Sequence, residues 1–99
     1  MVLNGGAFRG KRYLSEEAIK TMTSKQTGDV VKVGYGLGWS TGDGVFGHGG
    51  AYATNMTIDS NRGLITVFMV QHAGFPKDGN KALGVFQNTA SERFGRSRK

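Results

Sequence analysis

The sequence predicts an α+β domain: three to four antiparallel strands with one helix before them and one after. Strand periodicity, broken by hairpin-type turns, runs through residues 35–71. Helical spacing appears on either side of that stretch, in Ala18, Ile19 and Met22 and again in Leu83, Phe86, Ala90 and Phe94. Helices that bracket a run of strands belong on the faces of the sheet those strands form.

Residues 1–13 are rich in Gly and Arg, show no sustained period, and read as an extended leading segment. Ser15 is placed to N-cap a helix, with Glu16 and Glu17 in the first turn, where the helix dipole favours acids. Leu14 and Ile19 have the spacing of a hydrophobic staple. The helix is expected over 16–25, with Gly28 as the stop signal. Residues 29–34 read as a loop or weak strand. Tyr35, Leu37 and Trp39 alternate with Gly36 and Gly38, which predicts a strand over 35–40 with one bare face that something approaches closely.

Thr41-Gly42-Asp43-Gly44 is turn chemistry, and Val45–His48 begins the next strand. Ala51–Ile58 alternates again, with Tyr52, Thr54, Met56 and Ile58 on one side and Ala51, Ala53, Asn55 and Thr57 on the other. Asp59–Gly63 reads as a hairpin loop. Leu64–Gln71 is almost continuously apolar, so it is expected to be a strand covered on both faces. Pro76 falls in a loop, and a helix is expected from Asp78 or Asn80 to the stop at Gly95. Gly84 weakens that helix by about 1 kcal/mol relative to Ala, unless close packing explains it.

Composition limits the core. Of 99 residues, 17 are Gly and only 22 are Leu, Ile, Val or Phe. The final helix can cover one side of Leu64–Gln71, but the short first helix can cover only part of the other. Residues 1–99 are therefore expected to form a single incomplete domain, its missing cover supplied by another chain or by further sequence, with residues 95–99 as a basic tail. With no Cys, disulfides, thiolate zinc sites and a Cys nucleophile are excluded, while the compartment stays open. No apolar run is long enough for a transmembrane helix, and residues 1–10 lack the features of a signal peptide. The net charge of +6 is concentrated in Arg93, Arg96, Arg98 and Lys99 and in Arg9, Lys11 and Arg12. A solvated tail accounts for the first group. A nucleic-acid partner is not expected, because no recognition motif occurs and no aromatic platform lies among the basic residues.

Most candidate motifs dissolve on inspection. Gly42, Gly44 and Gly47 match G-x-G-x-x-G, but they open a strand where a dinucleotide site needs a helix. Asn55-Met56-Thr57 is a glycosylation sequon inside an expected strand. His48 and His72 have no metal-ligand spacing, so no metal is expected, and His72 reads as a surface residue beyond a strand. His48 is different, because Gly47, Gly49 and Gly50 flank it and let a ligand or another backbone approach the strand edge. Imidazole relays protons near neutral pH, and its cation holds anions. From spacing alone, an exposed His in a Gly-rich bend remains an equal reading.

Gly47-His48-Gly49-Gly50-Ala51 before a long hairpin, with Tyr35–Trp39 upstream and a closing helix, resembles the C-terminal part of the serine β-lactamase-related family. That family includes class C β-lactamases, D-alanyl-D-alanine carboxypeptidases and esterases. The resemblance covers roughly residues 13–94 and implies a partial β-lactamase/transpeptidase-like fold. The family lines its active site with S-x-x-K, Y-x-N or Y-x-S, and K-T-G or H-x-G; His48-Gly49-Gly50 matches the third motif. The resemblance implies that His48 takes the place of the Lys that supports proton transfer and carboxylate binding. It also implies that Gly49 and Gly50 border the substrate, and that the Ala51 N–H is an oxyanion-hole donor. No Ser begins S-x-x-K, and Tyr13-Leu14-Ser15 matches Y-x-S only by accident, ahead of a helix. A hydrolase without its nucleophile cannot form an acyl-enzyme. The expectation is thus a piece of a serine hydrolase acting on amide or ester bonds, inactive alone and without a cofactor. Its partners would be a small-molecule or peptide substrate and the N-terminal part of the same protein. A non-catalytic peptide- or carboxylate-binding module is the alternative.

Overall fold

The computed structural model describes residues 1–74 and 77–97. Pro76, placed in a loop by sequence, and Arg98 and Lys99 of the basic tail lie outside the described residues. The architecture is mixed α+β, with two helices and two antiparallel sheets.

The leading segment is more structured than its composition suggests. A 3-10 turn at Val2–Asn4 leads into a small hairpin of β1 (Ala7–Phe8) and β2 (Lys11–Arg12). The Arg12 guanidinium ties it down by donating to the carbonyls of Gly5 and Leu14, at 3.0 and 2.9 Å. Helix α1 (Glu16–Thr23) starts as expected, with Ser15 Oγ accepting from the Ala18 amide at 3.0 Å. It ends two residues early. Ser24 turns extended, and Ser24 Oγ and Gln26 Nε2 both donate to the Thr21 carbonyl, satisfying a group the helix leaves open.

The expected strand over 35–40 is corrected. Tyr35 bridges back to Ser40, and the Gly36 amide donates to the Trp39 carbonyl at 2.8 Å, so the segment is a tight reversal. Gly38 has φ +88°, which reverses the chain where alternation implied extension. The expected close approach does occur at Gly36, where an added Cβ would fall 2.2 Å from the Met22 carbonyl oxygen at the end of α1. The alternation of Gly with bulky residues was therefore a packing signal and not a strand signal.

The main sheet has the order β3-β4-β5-β6, all antiparallel. Its strands are β3 (Ser40–Thr41), β4 (Val45–Gly49), β5 (Asn55–Asp59) and β6 (Leu64–Phe68). The 42–44 and 60–63 turns fall where their residue chemistry placed them. The strand expected from Ala51 begins only at Asn55. The Gly50 amide donates to the Thr54 carbonyl, and the Ala53 amide to the Gly50 carbonyl, closing residues 50–54 into a turn with Ala53 at φ +64°.

Register separates the two faces. Phe46, Ile58 and Ile65 align across the strands, as do His48, Met56 and Val67, so all six share one face. The opposite face carries Asn55, Thr57, Leu64, Thr66 and Phe68. Helix α2 (Ala82–Phe94), entered through a 3-10 turn at Lys77–Lys81, packs against that second face, with the Phe86 ring 5.5 Å from Phe68. Phe94, expected in the core stripe, is exposed at the far end of α2, and nothing lies within 4 Å of a Cβ built at Gly84.

The core is thin, as composition requires. Among the described residues only Ile19, Phe46 and Ile58 are buried apolar side chains. Trp39 stacks edge-on to Phe46 at 5.9 Å, and its indole N–H is buried without an acceptor among the described residues. A cavity of about 480 Å³, bordered by Lys20, Thr23, Thr41, Phe46 and Ser60, separates the end of α1 from the sheet. The expectation that β6 is covered on both faces is corrected: Ile65 and Val67 are 47% and 51% exposed. The radius of gyration is 14.8 Å. That exceeds the roughly 13 Å of a compact chain of this length.

Candidate active site

β4 presents the candidate residues at the end of the sheet where β3 stops. β3 pairs only with Phe46 and Gly47, so the edge of β4 at His48 and Gly49 is not covered by it. Gly47 is required by packing, because an added Cβ would lie 2.1 Å from the Met56 carbonyl oxygen and 2.9 Å from the Thr57 Cα. At Gly50 the obstacle is the Thr54 hydroxyl, 2.3 Å from an added Cβ. At Gly49 the nearest atoms to an added Cβ are 3.6 and 3.7 Å away, ordinary contact distances, so a methyl group would fit there. Of the three glycines, two are therefore required by their neighbours and Gly49 is not.

His48 is exposed, shares a face with Phe46, and meets the Tyr35 ring edge-on at 5.9 Å. Its Nδ1 contacts the Gly49 carbonyl oxygen. A carbonyl can only accept, so this contact assigns the ring proton to Nδ1 and leaves Nε2 as the acceptor of the neutral imidazole. The side chain can therefore take a proton at Nε2, and once protonated can donate to an anion there.

A cleft of about 290 Å³ runs beside this strand, with Val33, Thr41, Gly47, His48, Gly49 and Asn55 among its lining residues. The structure brings His48 and Gly49 together in that cleft. Gly50 and Ala51 are placed on the adjoining turn, Ala51 is exposed, and its amide donates no hydrogen bond among the described residues. His72 lies beyond β6, exposed, its amide donating to the Tyr52 carbonyl at 3.0 Å. No group of three or more His, Cys, Asp or Glu capable of holding a metal occurs among the described residues. Among the described residues no helix is long and apolar enough to cross a membrane.

Sequence reasoning passed over a polar cluster next to the motif. Gln87 Nε2, from α2, donates to Asn55 Oδ1 at 3.1 Å and to Thr57 Oγ1 at 3.0 Å. Thr57 Oγ1 in turn donates to Asn55 Oδ1 at 2.9 Å. Alternation had placed Asn55 and Thr57 on one side of a strand, but nothing local pairs them with a residue 30 positions later.

His48, flanked by glycines, lies at the end of β4 that β3 leaves unpaired, with α2 on the opposite face of the sheet. The Beta-lactamase family model matches residues 1–87. The chain belongs to the Beta-lactamase family. The match takes in residues 1–12, which the motif-based resemblance had left out, and so includes the β1–β2 hairpin. No curated protein matches the chain. Family membership relates this chain to serine hydrolases.

Proposed function

We propose that this chain supplies the third-motif strand of a Beta-lactamase-family serine hydrolase that cleaves an amide or ester bond through an acyl-enzyme. The observation that carries the reading is His48 on an open strand edge beside a cleft, in a chain that contains no S-x-x-K. The nucleophilic Ser and its Lys then lie outside these 99 residues. His48 Nε2 faces the reacting groups as proton acceptor and, when charged, as donor to a substrate carboxylate. Gly49 and Gly50 keep the strand edge within reach of the substrate, and the Ala51 N–H supplies an oxyanion donor. Such a donor is worth about 10²–10³ in rate where one has been removed from a hydrolase. The apolar surface of Ile65 and Val67 supports the reading, since a lobe carrying the nucleophile needs a face to pack on.

The 99-residue chain alone is expected to turn over neither nitrocefin nor p-nitrophenyl esters above the buffer rate. The reading frame upstream of Met1 is expected to encode S-x-x-K, and the joined polypeptide to hydrolyse one of these substrates. An upstream frame without that motif ends the proposal, as does turnover by the short chain that His48→Ala abolishes.

A further inference from the structure

We propose that the β1–β2 hairpin is a peripheral membrane-contact element that seats on a bilayer rich in anionic phospholipid. The proposal is independent of the His48 site. Residues 1–15 hold Arg9, Lys11 and Arg12 and no Asp or Glu. Phe8 and Lys11 are cross-strand partners, so they share one face of the hairpin. The Arg9 guanidinium lies over the Phe8 ring, 5.3 Å from its centroid, and Lys11 Nζ lies 5.2 Å from the centroid of Tyr13. Folding thus sets a ring beneath each of two cations, and both rings are exposed, Phe8 by 46% and Tyr13 by 55%. The third cation is committed elsewhere: Arg12 donates to the carbonyls of Gly5 and Leu14 and lies 3.8 Å from Glu16.

The backbone at the tip is a second observation. Arg9 and Gly10 have φ +48° and +76°, the two-residue turn of positive φ that favours Asn-Gly. Arginine is unfavourable there, because its Cβ crowds the following carbonyl. No contact within the chain accounts for the choice: beyond the Phe8 ring, the Arg9 guanidinium has no partner among the described residues. The hairpin forms its own sheet, apart from the four-stranded one, and a Cβ built at Gly10 meets nothing within 4 Å, so the tip stands clear. Exposed rings topped by cations, with no acid among them, match a layer of phospholipid headgroups. The ring bodies reach toward the acyl boundary while the guanidinium and ammonium stay with the phosphates. Single-stranded nucleic acid fits less well, because bases stack on open ring faces and each ring here has a cation over one face.

The test is co-sedimentation of the 99-residue chain with vesicles of phosphatidylcholine, alone or mixed with phosphatidylglycerol. Binding is expected to the mixed vesicles only, and to weaken as salt is raised. Arg9→Asn is the decisive variant, because it removes the charge while installing the residue that the turn favours. It is expected to weaken vesicle binding about fivefold, while the melting temperature holds or rises. Lys11→Gln is expected to weaken binding by a similar factor. Lys32→Gln makes the same change in net charge away from the hairpin, and is expected to leave binding within about twofold of the original. Equal losses from Lys32→Gln and Arg9→Asn overturn the proposal, since net charge alone then explains the binding. Equal binding to both kinds of vesicle, or binding to neither, also overturns it. A single-stranded oligonucleotide is run alongside. If Arg9→Asn abolishes its retention and leaves vesicle binding unchanged, the membrane assignment falls and a nucleic-acid contact replaces it.

Discussion

The two faces of the four-stranded sheet are built from one set of strands but finished differently. One face is closed by α2, with Phe86 against Phe68 and the Gln87–Asn55–Thr57 ring fixing the helix to β5. The other is closed only at its β4–β5 end. Phe46 and Ile58 are buried there and Trp39 lies across Phe46, while Ile65 and Val67, one strand farther, stand half in solvent. Met69, just past β6, is 83% exposed. Burial of an apolar side chain yields about 1.5–3 kcal/mol. The open end of that face therefore leaves stabilisation unrealised that its own β4–β5 end has gained. The polar ring sits on the finished face and His48 on the unfinished one, so the cleft at the edge of β4 draws on both.

Substitutions should separate the faces by size of effect. The largest effect is expected inside the small closed patch. Ile58→Ala removes one of the few buried side chains and should cost about 2–5 kcal/mol, read as a lower urea midpoint. A loss under 1 kcal/mol would mean that the patch is no better packed than the open end. On the α2 side, Gly84→Ala should stabilise the chain by about 0.5–1 kcal/mol, because the position is helical and the added Cβ meets nothing within 4 Å. A destabilisation in thermal melting would show that α2 packs tightly against a neighbour at Gly84. The smallest effect belongs to the open end. Val67→Thr should change the stability of this chain by less than about 0.5 kcal/mol. The same change should weaken assembly with the polypeptide that carries the nucleophile, measured as activity recovered in a joined or mixed sample.

Hydrogen exchange sharpens the contrast without mutation. Amides of β5, paired on both sides, should exchange more slowly than the outward-facing amides of the edge strand β6. Equal protection in the two strands would indicate that β6 already has a partner.

Legibility followed the range of the interaction. The Ser15 cap, the 42–44 and 60–63 turns and the strand at Val45 were readable because each depends on residues within a few positions of one another. The YGLGWS segment misled because alternation of Gly with bulky residues fits an extended strand and a tight reversal equally well. The close approach of Gly36 to the end of α1, together with the left-handed backbone at Gly38, selected the reversal. The start of β5 was misplaced for a related reason, since the Gly50–Thr54 closure turns on a single backbone pair that no periodicity reports. At the site, His48, Gly49, Gly50 and Ala51 could be singled out from a short motif, whereas the part played by Gln87 could not.

By itself the sequence determined the class of the fold, the order of helix, strands and helix, the thinness of the core, and the glycine-bordered histidine. These follow from local propensity, composition and spacing, which need no knowledge of distant neighbours. Only the tertiary structure decided which sheet face was closed, where Asn55 met Gln87, and that Gly47 had no room for a methyl group while Gly49 did. Those outcomes depend on contacts between segments far apart in the chain, and such contacts exist only once strand register has brought the segments together.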